Sequence, residues 1–150
     1  MHPEQNQSVF PIILQQSHND CGPACLKSMA LYYGREFDIG GLDDIGQIME
    51  RGMTLYDMRR ELKRMGLDSL PIKCSVEELA SVPPLPAIAL LNNRHYVTIC
   101  DADAARVSVA DPVCGPIDVD CDLLRKVWYT DGENAGILLV VGDGEAERSE

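Results

Sequence analysis

Hydrophobic and polar positions along the chain change period near its middle. From 24 to 33, ACLKSMALYY is apolar at eight of ten positions, which predicts a helix apolar nearly all round and therefore buried. Gly34 supplies its stop. A short helix is expected over about 42 to 49. TLYDMRRELKRMG follows, with Thr54 as cap and Leu55, Met58, Leu62 and Met65 at helical spacing. Ser75 and Glu78 in SVEELASV have the spacing of a capping box and predict one more short helix before Pro83-Pro84.

Beyond that point the period shortens to that of strands. PAIALL and HYVTIC flank the turn-rich NNR and read as a hairpin. RVSVA alternates, DPVCGP interrupts, and IDVD resumes. A helix over 122–128 and a final strand ILLVV complete the series. Helices first and strands later, without βαβ alternation, predict an α+β fold with an antiparallel sheet.

Length and charge narrow the function classes. A chain of 150 residues fits one domain, placed here at 9–141, with 1–8 as a flexible N-terminus and 142–150 as a polar tail or the start of a linker. The formal charge is −11, from 24 acidic and 13 basic residues. That balance argues against nucleic acid and anionic lipid and leaves room for a cationic or amphipathic partner. No apolar run approaches the ~18 residues that span a bilayer, and the N-terminus lacks the pattern of a secretory signal. Six cysteines without a C-x-x-C pair fit reduced thiols in a cytoplasmic setting better than a disulfide framework. Their spacing matches no zinc site, and neither metal nor cofactor is expected.

Candidate chemistry begins at QQSHNDCGPACLKSMALYYG, residues 15–34. Cys21 opens the buried helix, where the positive end of the helix dipole favours a thiolate. Pro23 fits a first turn. A buried structural thiol reads equally well from this segment alone, and Cys25, one turn on, belongs to the core. A thiol nucleophile needs a base, and the chain has three histidines. His2 lies in the N-terminal end, His18 suits a surface or supporting role near Cys21, and His95 opens a strand after a tight turn. Asp111 closes the next strand before Pro112. If those strands pair antiparallel, it is placed to orient the His95 ring. Either Gln15 or Gln16 offers an amide donor to an oxyanion. Asp20, beside the thiol, is an awkward charge unless it turns away to cap the helix.

These residues resemble the bacteriocin-processing cysteine peptidases, the double-glycine leader peptidases at the N-termini of peptidase-containing ABC transporters. The resemblance runs from about residue 9 to 141, through DCGPAC, RGMTLYDMRRELKRMGL, VEELASVPPLPAIALLNNRHYVTI and VSVADPVCG. It implies a papain-like fold, a helical N-terminal half packed on a C-terminal antiparallel sheet. It also implies Cys21 as nucleophile, His95 as base and acid, Asp111 as orienter and Gln15, rather than Gln16, in the oxyanion hole. The implied reaction is thiol endopeptidase cleavage after Gly-Gly or Gly-Ala in a precursor peptide, coupled to export. The implied partners are a precursor with an amphipathic helical leader and ABC transporter membrane and ATPase domains, fused or separate, at the cytoplasmic face of the membrane. A non-catalytic substrate-docking domain and a Cys-His-Asp acyltransferase remain the alternatives. The middle-helix methionines 49, 53, 58 and 65 are read as core, with an apolar leader-binding surface as the other use.

Overall fold

A computed structural model describes residues 10–42, 45–130 and 132–143. The calls on 1–8, on His2 and on the tail beyond 143 lie outside the described residues. The order is α1 (Cys21–Tyr33), a 3₁₀ turn (Ile39–Gly41), α2 (Ile45–Arg51), α3 (Leu55–Arg64), β1 (Leu67–Cys74), β2 (Ala87–Leu91), β3 (His95–Ala102), β4 (Arg106–Asp111), β5 (Gly115–Asp120), α4 (Cys121–Trp128) and β6 (Gly136–Asp143). The strands form one antiparallel sheet in the order β1-β6-β2-β3-β4-β5.

Alternation along the strands divides the core in two. Ile88, Tyr96, Leu139 and Val141 face α1, α2 and α3, joining Leu26, Met29, Ile48, Met58 and Leu62. Ala87, Ala89, Val97, Ile99 and Leu138 face the other way, joining Leu79, Leu124 and Trp128 of the 76–79 turns and α4. The second layer is therefore thin, and Gly136 belongs to it: a Cβ there would run into the Trp128 indole.

α1 starts at Cys21, three residues earlier than the apolar run, because Gly22 and Pro23 fit its first turn. Gly34 takes the left-handed conformation (φ 70°) at its C-cap. The expectation of burial all round fails at its end, where Leu31 and Tyr32 are exposed. α2 runs over 45–51 rather than 42–49, with positions 43 and 44 outside the described residues. Thr54 caps α3 in a full capping box completed by Asp57. Met53 and Met58 are core, as read, whereas Met49 is exposed and Met65 lies only partly buried.

Two readings are corrected. SVEELASV is a run of turns and no helix. Ser75 and Glu78 do exchange the capping-box bonds (Glu78 N–H to Ser75 Oγ 3.2 Å, Ser75 N–H to Glu78 Oε1 2.9 Å). But Pro83 disfavours helical backbone at Val82, and the segment is too short to continue. β1, in turn, is a strand that alternation alone does not reveal, because LDSLPIKC carries a proline and scattered polar residues. It is an edge strand, the setting in which proline's missing N–H removes no ladder bond.

Leu26 is fully buried where α1 meets the sheet. Leu26→Ala should lower unfolding free energy in urea by about 2–5 kcal/mol; a loss below about 1 kcal/mol would show that α1 is not the anchor of this core.

Candidate active site

The site forms where the N-terminus of α1 meets the start of β3. Cys21 is 5% exposed. Its Sγ accepts the Tyr96 N–H at 3.4 Å and lies 3.9 Å from the Arg94 carbonyl oxygen. Asn92 and Asn93 take left-handed backbone (φ 53° and 60°) in the turn between β2 and β3, a conformation asparagine tolerates. That turn brings the chain back so that His95 opens β3 beside the helix end.

Register supplies the third group. β3 and β4 pair Thr98 with Ala110, and one further step sets Asp111 opposite Val97. His95 is two residues from Val97 on the same face, a diagonal neighbour of Asp111. Its Nε2 lies 2.9 Å from Asp111 Oδ1, leaving Nδ1 as the ring nitrogen available to Cys21. Asp111 Oδ1 also accepts the Val113 N–H at 2.9 Å, which fixes the carboxylate. The antiparallel adjacency expected from the sequence therefore holds, and Cys21, His95 and Asp111 converge.

The His95 imidazole is pushed up to about 9 from the ordinary 6.5, first by its hydrogen bond with Cys21, against the opposing effect of burial, and then by Asp111. Because the folded value exceeds the unfolded one, the contribution to stability is fully present below about pH 6.5 and disappears as pH rises through about 9. The raised value favours the imidazolium form at neutral pH, beside the Cys21 sulfur. Cys25, one turn into α1, is different: burial drives its thiol well above the usual range. It is 2% exposed and part of the core.

Gln15 and Gln16 separate structurally. The Gln15 N–H donates to the Pro112 carbonyl at 2.8 Å, tying this loop to the residue after Asp111. Its side-chain Nε2 donates to the Ser17 carbonyl at 2.6 Å, and its Oε1 is buried without a hydrogen-bond partner among the described residues. Gln16 is exposed. Asp20 occupies the N-cap position of α1 but makes no side-chain cap bond. Its carboxylate turns the other way, accepting the Gln16 N–H at 2.9 Å and the Ser17 N–H at 3.0 Å.

A cleft of about 720 Å³ opens over Cys21 and His95. One wall is the 51–55 segment; the other is the 90–96 hairpin. His18 sits at its mouth, exposed, with no part in the Cys21–His95–Asp111 cluster. Three supporting contacts lay outside the sequence reading. Tyr96 Oη donates to the Met53 carbonyl at 3.0 Å, pinning the first wall to β3. Asn19 Nδ2 donates to the Met49 and Glu50 carbonyls at 3.0 and 2.9 Å, holding the Cys21 loop to α2. Gly22 lets Met53 pack closely, since a Cβ there would lie 3.0 Å from Met53 Cβ. Asn19 and Gly22 flank the Asp20-Cys21 pair, which was the one available signal for them.

The Peptidase C39 family profile matches residues 9–133. The chain belongs to that family. It is a cysteine peptidase with a papain-like fold. The lactococcin-G-processing and transport ATP-binding protein of Lactococcus lactis is 28% identical over 133 residues, covering 85% of this chain and 18% of that protein. The chain thus spans under a fifth of that relative's length. The fold is shared with the peptidase domain of Streptococcus ComA, a bi-functional ABC transporter involved in a quorum-sensing pathway, at TM-score 0.76 and 20% identity over 89% of this chain and 98% of that one. It is shared likewise with a double glycine motif protease from an AMS/PCAT transporter in complex with its leader peptide, at TM-score 0.73 and 19% identity over 88% and 90%. Among the described residues of this C39 peptidase, no helix is long and apolar enough to cross a membrane.

Since the hydrogen bond with Cys21 is the largest influence raising His95, Cys21→Ala should bring the His95 titration, followed by NMR of its ring protons, down from about 9 toward 6.5. An unchanged midpoint would show that thiol and imidazole do not interact.

Proposed function

We propose that this C39 peptidase cleaves precursor peptides after a Gly-Gly or Gly-Ala pair, with Cys21 as nucleophile, His95 as proton carrier, Asp111 as orienter and Gln15 as oxyanion donor. The observation that carries the reading is the His95 Nε2–Asp111 Oδ1 contact of 2.9 Å beside a thiol at a helix N-terminus. The Cys21 sulfur, its proton held by the His95 ring, attacks the carbonyl of the residue before the cut as a thiolate. The resulting oxyanion receives the Cys21 backbone N–H and an N–H of the Gln15 amide. An imidazolium is the form of His95 that protonates the leaving amine, and a ring held high by its partners stays in that form at neutral pH. Water, deprotonated by the same ring, then hydrolyses the thioester.

Relatives that process lactococcin G, and a leader-bound structural neighbour named for the double glycine motif, support this substrate class. Relatives and neighbours named as transport ATP-binding proteins and ABC transporters support a place beside such a transporter's membrane and ATPase domains, fused or separate; the reading sets the peptidase on their cytoplasmic side. The leader of the precursor would present an amphipathic helix to the protein.

Incubation with a synthetic leader–core peptide bearing a Gly-Gly junction, read by mass spectrometry, should give two fragments cut after the second glycine. In H₂¹⁸O the leader fragment should take up one ¹⁸O, because water resolves the thioester; transfer to an added amine instead would favour an acyltransferase. Cys21→Ala should reduce kcat by a factor on the order of 10⁴ or more, and Gln15→Ala by about 10²–10³. Asp111→Asn should cost less than His95→Ala. If Cys21→Ala processed the precursor as fast as the native protein, the chain would be a docking domain and no catalyst.

A further inference from the structure

Asp20 is 8% exposed and sits immediately before the nucleophile. At an N-cap, an aspartate ordinarily accepts a backbone N–H from the first turn of its helix. This one does not. Both of its oxygens are used on the preceding loop instead, Oδ2 by the Gln16 N–H and Oδ1 by the Ser17 N–H. Ser17 is held on its other peptide as well, since its carbonyl accepts the Gln15 Nε2 at 2.6 Å. The connection therefore runs through one residue: the carboxylate holds the Ser17 N–H, and the Ser17 carbonyl, one peptide on, holds the Gln15 amide.

We infer that Asp20 is a positioning residue for the oxyanion hole, aiming the Gln15 amide through the backbone of Ser17 and keeping it in register with α1. This rests on the reading of Gln15 as an oxyanion donor. A primary amide carries two N–H donors. One is committed to Ser17, so the direction of the other is set by that bond. The Gln15 Oε1 has no partner among the described residues, and on the side-chain side the Ser17 carbonyl is the contact that orients the amide. The rest of the loop is anchored at its ends, by Gln15 N–H on Pro112 and by Asn19 on Met49 and Glu50. Those anchors place the loop, whereas Asp20 sets the orientation of the peptide inside it. A carboxylate beside the nucleophile opposes anionic sulfur; two N–H groups aimed at it from the loop absorb part of that charge.

The test is a double-mutant cycle on the leader–core peptide. Asp20→Asn keeps one acceptor and replaces the other by a donor that cannot accept an N–H; Asp20→Ser, which retains a single cap-sized acceptor, is measured beside it. Each is expected to lower kcat by about 10- to 100-fold, part of the factor that the whole amide supplies, with KM changed by less than about threefold. In a Gln15→Ala background the same Asp20 substitutions should lower kcat by less than about threefold, because the group they position is gone. Alkylation of Cys21 by iodoacetamide passes through no oxyanion, so its rate should not fall in either variant. That readout also shows that the thiol and its surroundings remain folded.

Equal losses of kcat with and without Gln15 would overturn the inference, and so would a parallel fall in alkylation, which would place the effect on Cys21 and His95. Loss of rate in Gln15→Ala with none in Asp20→Asn would overturn it while leaving the oxyanion reading intact. No loss in Gln15→Ala would remove the oxyanion reading itself and this inference with it.

Discussion

The packing of the first turn of α1 against the beginning of β3 is the constraint on which the rest depends. It is there that the Tyr96 N–H meets Cys21 Sγ at 3.4 Å and Tyr96 Oη reaches the Met53 carbonyl at 3.0 Å. One strand residue thus touches both the Cys21 thiol and a wall of the cleft, while its predecessor, His95, carries the imidazole. Leu26 and Met29, both fully buried, hold the helix in this place through the apolar face it shares with the sheet. Burial of side chains of this size contributes about 1.5–3 kcal/mol each, more than a single neutral hydrogen bond contributes net. The core therefore fixes the geometry, and the site's hydrogen bonds refine it.

The same arrangement separates two cysteines four residues apart. Cys25 faces the core, and burial above all drives its thiol up. Cys21 stands at the open end of the helix, against an imidazole raised to about 9. The carboxylate beside that imidazole arrives by register: Asp111 ends β4 next to the start of β3, and the bulge between Ile99 and Asp101 falls beyond that contact.

Much of this was legible in the sequence because the signals were local. The apolar run of α1, its Gly34 stop, the Thr54 cap and the Asn92-Asn93 turn each act within a few residues, and each structure formed as read. The Asp111–His95 contact was legible because antiparallel pairing converts two strand ends into neighbours. What escaped were elements set by tertiary context. β1 is a strand because β6 offers it a partner along its full length, from Leu67 opposite Asp143 to Cys74 opposite Gly136; its own pattern is that of a loop with a proline. The 75–82 segment had correct capping chemistry and still formed turns, since two prolines cut the helix before it had length to pay its nucleation cost. Asp20 was misjudged for a related reason. Its position named it a cap, but the loop before it held two unpaired N–H groups that position alone does not reveal.

On the proposed mechanism, the junction of α1 with β3 makes one thiol of six the nucleophile. The decisive probe is a leader peptide ending in Gly-Gly vinyl sulfone, followed by digestion and tandem mass spectrometry. A single thioether on Cys21 is expected, formed in the native protein and suppressed in His95→Ala. Addition at the exposed Cys114 in preference to Cys21, or equally fast addition to Cys21 without His95, would contradict it.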